Sequence, residues 1–178
     1  IGPGHVCTVV GYREYEPIAT GYNIPIVISG FEPVDLLEGV LECVRLLENG
    51  EARVENQYRR VVNREGNRAS QQLLDEVFEI CDRKWRGIGI IPKSGYKLRY
   101  EFRAHDAERL FELNDIETAE STACISGQIL KGLKKPKHCP AFGRTCTPQS
   151  PLGATMVSSE GACSAYYAYG RHLELESV

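Results

Sequence analysis

The chain has 178 residues, of which 42% are hydrophobic and 25% charged, with a formal net charge of -3 and a pI near 5.9. That length and apolar content suffice for a sizeable core, no apolar run approaches the roughly 18 residues of a membrane span, and the mild acidity gives no overall basic footprint for nucleic acid. Seven cysteines cannot all pair within one chain, so a secreted domain held only by disulfides is a poor description. The opening Ile1-Gly2-Pro3-Gly4 has no Met and no signal-type stretch, and Met156 is the only methionine; this reads as a segment of something longer.

Residues 5 to 98 alternate between strand and helix patterns. His5 to Gly11 is a short β-rich run closed by glycine, and Tyr12 to Ala19 is a brief helix leading to Gly21. Ile24 to Gly30 is a continuous apolar run, as expected of a strand covered on both faces of a parallel sheet, with Pro25 at its start where no ladder donor is missed. From Asp35 to Leu47, Leu36, Leu37, Val40, Leu41, Val44 and Leu47 form one helical stripe that ends at Asn49-Gly50. Arg53 to Val62 predicts a strand, Ala69 to Trp85 a second amphipathic helix carrying Leu73, Leu74, Val77, Phe78 and Ile80, and Gly87 to Ile91 a last strand. The expectation is a layered, parallel-sheet α/β domain over 1–98 with right-handed crossovers.

Beyond residue 98 the pattern changes, and 99–178 is expected to form a mostly helical and irregular domain. Glu101 to Glu120 holds seven acids (Glu101, Asp106, Glu108, Glu112, Asp115, Glu117 and Glu120) with Arg103 and Arg109, a solvated helical segment. Gln128 to Arg144 reverses the sign, with Lys131, Lys134, Lys135, Lys137 and Arg144 and no acid. It is either a solvated loop and helix end or a positive field around something anionic.

Four cysteines fall in this second region: Cys124, Cys139, Cys146 and Cys163, spaced C-x14-C-x6-C-x16-C. Cys7, Cys43 and Cys81 sit in periodic segments and read as small buried hydrophobes. The later four lie among Gly, Pro and Lys instead, with Cys163 just inside a helix that Ser158-Ser159-Glu160 would cap and Gly170 would end. Irregular backbone of this kind can wrap a ligand, and four thiolates suit either tetrahedral zinc or an iron–sulfur cluster. The long intervals lack C-x2-4-C knuckles and tilt towards a cluster; zinc, disulfides and free thiols stay open.

Elsewhere, Gly30-Phe31-Glu32-Pro33 joins the buried strand to the long helix, where a functional crevice often lies. Glu32 and Asp35 are partner or proton-transfer candidates there, unless Asp35 merely caps its helix and Glu32 packs the turn. His5 is either a satisfied strand-end histidine or a cleft residue, and Glu160 is a helix-start carboxylate near Cys163. No phosphate-binding glycine loop opens a helix, and no Ser/His/Asp order provides a nucleophile with an evident base.

Gly2-Pro3-Gly4-His5-Val6, Gly30-Phe31-Glu32-Pro33-Val34-Asp35, Asn63-Arg64-Glu65-Gly66-Asn67, Cys139-Pro140-Ala141-Phe142-Gly143 with Cys146-Thr147-Pro148, and Ser158-Ser159-Glu160-Gly161-Ala162-Cys163 occur in one order along the chain. Together they resemble the HypD family of [NiFe]-hydrogenase maturation factors, over essentially all 178 residues. The resemblance implies a [4Fe-4S] cluster on Cys124, Cys139, Cys146 and Cys163. It also implies a cytoplasmic scaffold, rather than a turnover enzyme, on which the Fe(CN)2CO unit is assembled with a HypC-like partner and with cyanide from a HypE-like donor. The family's C-x-C-G is here Cys124-Ile125-Ser126-Gly127, so Ser126 removes any auxiliary thiol there. Its upstream Cys-Gly and Cys-Pro-x-Cys motifs are absent, which implies that this chain is the cluster-bearing part. The competing expectations are a zinc-stabilised interaction domain and a thiol–disulfide redox protein using a pair such as Cys139 and Cys146.

Overall fold

The computed structural model describes residues 1–111 and 121–170. Contacts divide the chain into two compact units, Ile1–Val77 and Phe78–Val178, whereas the sequence pattern places the change near residue 98.

The first unit is built on a three-stranded parallel sheet, in the order β1 (Gly2–Pro3), β2 (Ile26–Ser29), β3 (Val54–Asn56). Gly2 pairs with Ile28, and Ile26, Val27 and Ile28 pair with Val54, Glu55 and Asn56. The central strand bears out the apolar run: Val27 and Ile28 are fully buried, and Pro25 lies just outside the ladder. Parallel neighbours need crossovers, and helices supply them. They are α1 (Gly4–Val10), α2 (Glu16–Tyr22) and α3 (Pro33–Glu48), followed by α4 (Arg68–Val77).

The strand expected from His5 to Gly11 is instead α1. Only Gly2 and Pro3 extend; a Cβ on Gly4 would overlap the Ser29 carbonyl oxygen, so the chain can turn there against β2. Packing then overrides the β-propensity of Val6, Val9 and Val10, because the helix buries Cys7 in a core with Ile28 and Val62. Likewise, of the strand expected over Arg53–Val62 only Val54–Asn56 forms. Gln57 and Tyr58 still donate to the Ile28 carbonyl, after which the Asn56 side chain donates to the Val62 carbonyl at 2.8 Å and holds a turn.

The long helix runs as its periodicity predicts, yet its rotation differs. Asp35, Gly39 and Leu46 are its buried residues, while Leu36, Leu37, Val40, Leu41, Val44 and Leu47 are 39% to 71% exposed. Two features set this rotation. A Cβ on Gly39 would lie 2.8 Å from the Ser29 hydroxyl, so the helix approaches β2 closely along that line, and the same hydroxyl donates to the Asp35 carbonyl at 2.9 Å.

The helix expected over Ala69–Trp85 stops at Val77. Phe78–Trp85 is strand β4, paired antiparallel with β5 (Gly89–Leu98), so the hairpin falls in the second unit. Cross-strand pairs stabilise it: the Phe78 and Tyr96 rings lie 6.0 Å apart and Lys97 meets Glu79 at 2.9 Å. After a 3-10 turn at Tyr100–His105 comes α5 (Ala107–Leu110), where the Asp106 carboxylate accepts from the Glu108 N–H. The remaining acids of the expected helical segment, Glu112, Asp115, Glu117 and Glu120, lie outside the described residues. Short pieces follow: α6 (Ser126–Leu130), α7 (Ala154–Val157), α8 (Ala162–Ala165) and a π turn at Tyr166–Gly170. No described helix is long and apolar enough to cross a membrane.

Candidate metal centre

Cys124, Cys139, Cys146 and Cys163 line one recess in the second unit, with about 260 Å³ of unfilled space including its mouth. Its walls are largely apolar, made of Ile125, Ile129, Phe142 and Met156. Cys124 follows a turn in which its N–H bonds the Ser121 carbonyl, and it precedes α6. Cys139 and Cys146 flank a tight loop in which the Phe142 N–H bonds the Cys139 carbonyl and the Cys146 N–H bonds the Ala141 carbonyl. Cys163 is the second residue of α8. Cys146 and Cys163 are buried and Cys124 and Cys139 half-buried; all four are free thiols.

Polar hydrogens point at two of the sulfurs. The Leu152 N–H donates to Cys146 Sγ at 3.4 Å, and the buried Thr155 hydroxyl donates to Cys163 Sγ at 3.0 Å. Cys139 Sγ itself donates to the Ala123 carbonyl at 3.7 Å. Burial pushes the Cys163 thiol up, the Thr155 hydrogen bond opposes this, and the neighbouring sulfurs of Cys146, Cys124 and Cys139 push further up. Gly153 sits against Cys124, where a Cβ would overlap the sulfur. Among the described residues no three His, Cys, Asp or Glu side chains are close enough to hold a single metal ion.

A second polar group lies at the carboxyl end of β2, in the first unit. Asp35 is 3% exposed and receives two short bonds from Arg60, at 2.7 and 2.6 Å, and one from Gln57 at 3.0 Å. These donors, Arg60 first, hold its carboxyl down at about 2. Glu32 reaches the same guanidinium at 3.2 Å, and Arg60 lies over the Tyr58 ring. His5 is exposed and its ring packs at a tilt against Phe31, ring centroids 4.9 Å apart. Asp35 does not cap α3: the cap residue is Glu32, with no side-chain cap bond.

A family profile for HypD, described as the hydrogenase formation hypA family, matches residues 1–170. The chain belongs to the HypD family. Its relatives include the hydrogenase maturation factor HypD1 of Bradyrhizobium diazoefficiens, 48% identical over 96% of this chain and 45% of the relative. The hydrogenase expression/formation protein HupD of Azotobacter chroococcum is 49% identical over 96% and 45%. The hydrogenase maturation factor HypD of Cupriavidus necator is 44% identical over 100% and 47%. The chain therefore spans about half the length of these curated relatives.

Within this HypD-family chain, the sequence-derived residues fall into separate groups. The four cysteines come together on the recess, whereas His5, Glu32 and Asp35 gather at the end of β2. Glu160 is exposed, and its N–H bonds Ser158 Oγ at 3.2 Å; Gly161, rather than Ser158 or Glu160, is the cap residue of α8, which has no side-chain cap bond. Sequence reasoning missed Thr155 and Gly153, which have no motif chemistry of their own, and Arg60, whose only signal was its place in an Arg-rich run.

Proposed function

We propose that Cys124, Cys139, Cys146 and Cys163 hold a [4Fe-4S] cluster and that this chain relays electrons in hydrogenase maturation. The observation carrying the reading is that four thiols spread over 40 residues of sequence line a single apolar recess. Soft thiolates are the ligands such iron takes, and a bound cluster would supply one-electron redox chemistry. The chain's own groups suit that task. The Leu152 N–H and Thr155 O–H stabilise negative charge on sulfur, the apolar walls exclude water, and Gly153 leaves room for Cys124. Four thiolates also suit one tetrahedral zinc ion, and iron and sulfide content separates the two occupants.

In this reading the chain is part of a cytoplasmic scaffold, a compartment that keeps thiols reduced. It works with a HypC-like protein and a HypE-like cyanide donor to build the Fe(CN)2CO unit. The relatives' names support hydrogenase maturation or formation, and the resemblance of the motifs supports the finer roles. Exposed Glu32 and half-exposed Arg60, which buried Asp35 holds in place, are with exposed His5 the surface offered to the HypC-like partner. Anaerobic purification with iron and acid-labile sulfide analysis tests the cluster, with about four of each expected per chain. Stoichiometric zinc without sulfide overturns it, and a single reversible Cys139–Cys146 disulfide in a metal-free folded chain points to the thiol redox reading.

A further inference from the structure

We infer that the lysine-rich turn from Lys131 to Arg144 is a docking surface for an acidic electron-carrier protein that passes single electrons to the group in the cysteine recess. The inference rests on the cluster reading and extends it to a partner.

Lys131, Lys134, Lys135, Lys137 and Arg144 are all exposed, and the segment between them contains no acid. None of the five pairs with a carboxylate among the described residues, whereas Arg13, Arg45, Arg53, Arg59, Arg60 and Arg64 in the first unit all do so. The backbone holds these cations together. Leu133 and Lys134 both donate to the Gln128 carbonyl, and Lys135 and His138 bond reciprocally, His138 N–H to the Lys135 carbonyl at 2.9 Å and Lys135 N–H to His138 Nδ1 at 3.2 Å. Buried Pro136 anchors the turn.

Two facts connect the patch to electrons and to a protein partner. Lys137 precedes Cys139 by two residues and Arg144 precedes Cys146 by two, so the patch runs along the segment that supplies half the thiols, and Cys139 is only half-buried. Leu130 and Leu133, 51% and 70% exposed, lie among the lysines, giving apolar contacts within a charged rim as protein interfaces have. A nucleic acid would call for exposed stacking aromatics, yet Phe142, the segment's only aromatic ring besides His138, packs against Tyr166 and Tyr167. A lipid surface would call for a long amphipathic helix, and α6 has five residues.

The step is an outer-sphere transfer: the carrier is oxidised by one electron, the cluster is reduced by one, and no bond forms or breaks. Cations that meet no carboxylate among the described residues give this face a positive field that orients an acidic carrier before contact, so association should depend on ionic strength.

The test uses the intact chain, purified anaerobically, and a reduced plant-type [2Fe-2S] ferredoxin as the acidic carrier. Binding by calorimetry and electron transfer by stopped-flow absorbance are both expected to weaken about tenfold or more from ~50 to ~500 mM salt. The double change Lys135→Glu with Lys137→Glu is expected to weaken both by a similar factor, with iron and sulfide content unchanged, while Lys84→Glu on β4 has no effect. Unchanged binding in the double variant overturns the inference, as does tighter binding of duplex DNA or phosphatidylglycerol vesicles than of the ferredoxin. A chain that lacks iron and sulfide but binds the ferredoxin with this salt dependence upholds the surface and sinks the cluster. An iron-replete chain without salt-sensitive binding does the reverse.

Discussion

In the first unit Arg13, Arg45, Arg53, Arg59, Arg60 and Arg64 each hold a carboxylate, and no lysine occurs between residues 1 and 77. In the second unit lie all seven lysines, Lys84, Lys93, Lys97, Lys131, Lys134, Lys135 and Lys137, and of these Lys97 pairs with Glu79 while the last four meet no described carboxylate. The planar fork of arginine fixes local geometry, whereas a hydrated lysine on a flexible stem suits a transient encounter. The cores differ in the same direction. Cys7, Ile28 and Val62 pack with tyrosine and aliphatic neighbours in the first, but Cys146 and Cys163 make up a large part of the second, beside Ile129, Ala141 and Met156. The core of the second unit is thus built partly on residues of the proposed ligand set, and the core of the first is not.

The largest expected effect comes from breaking the thiol core. Cys146→Ser should reduce iron and sulfide to near zero and strip hydrogen-exchange protection from α6 to α8, because a hydroxyl is a poor ligand for iron in a cluster, while β2 amides stay protected. Cys43→Ser should leave the iron unchanged. Equal iron in wild type and the Cys146 variant would refute the ligand set.

Next is the charged knot of the first unit. Asp35 has a folded-state value of about 2 against 3.8 when free, so its stabilisation is complete above 3.8 and disappears as pH falls through about 2. Urea melts across that window should show a steep acid limb that Asp35→Asn flattens, with a lower midpoint at neutral pH. An unchanged acid limb would mean that Arg60 and Gln57 do not hold the carboxylate in solution.

A smaller, more local effect is expected at Gly153. Its backbone is extended, so alanine there is conformationally easy, but the added methyl overlaps Cys124 Sγ. Gly153→Ala should lower iron content several-fold without altering first-unit protection; full cluster content would show that the wall can give way. Smallest of all, Thr155→Val removes one buried hydrogen bond, worth ~1 kcal/mol, and takes positive charge density away from Cys163 Sγ. Iron should be retained and the cluster's midpoint potential should fall in spectroelectrochemical titration; Thr155→Ser should restore it.

Legibility in the sequence followed the range of the interactions involved. Ile26–Ser29 was readable because a strand buried on both faces leaves a continuous apolar run, and the end of α3 because Asn49-Gly50 follows it, whereas its start lies at Pro33, two residues before the expected Asp35. The direction α3 faces was not readable, since it depends on a close approach between Gly39 and Ser29 from another element. Phe78–Trp85 extended the helical spacing of the preceding residues and became a strand only because Gly89–Leu98 pairs with it. The spacing of the four cysteines drew attention to them, but a shared recess is a tertiary fact. Thr155 and Gly153 matter only through what they touch, and a threonine or glycine among many has no distinguishing pattern.

The order in which the recess is walled has a consequence for synthesis. Cys124 belongs to the turn before α6, and the last wall is α8, which carries Cys163 and packs against both α6 and α7. A nascent chain that has emerged only as far as Cys146 presents three thiols and an open side. Residues 147 to 163 must leave the ribosome before the fourth sulfur can arrive, so a recess lined by all four thiols is completed late, after translation of this segment. The first unit, whose core uses nothing beyond Val77, can already be folded by then and waits on its neighbour.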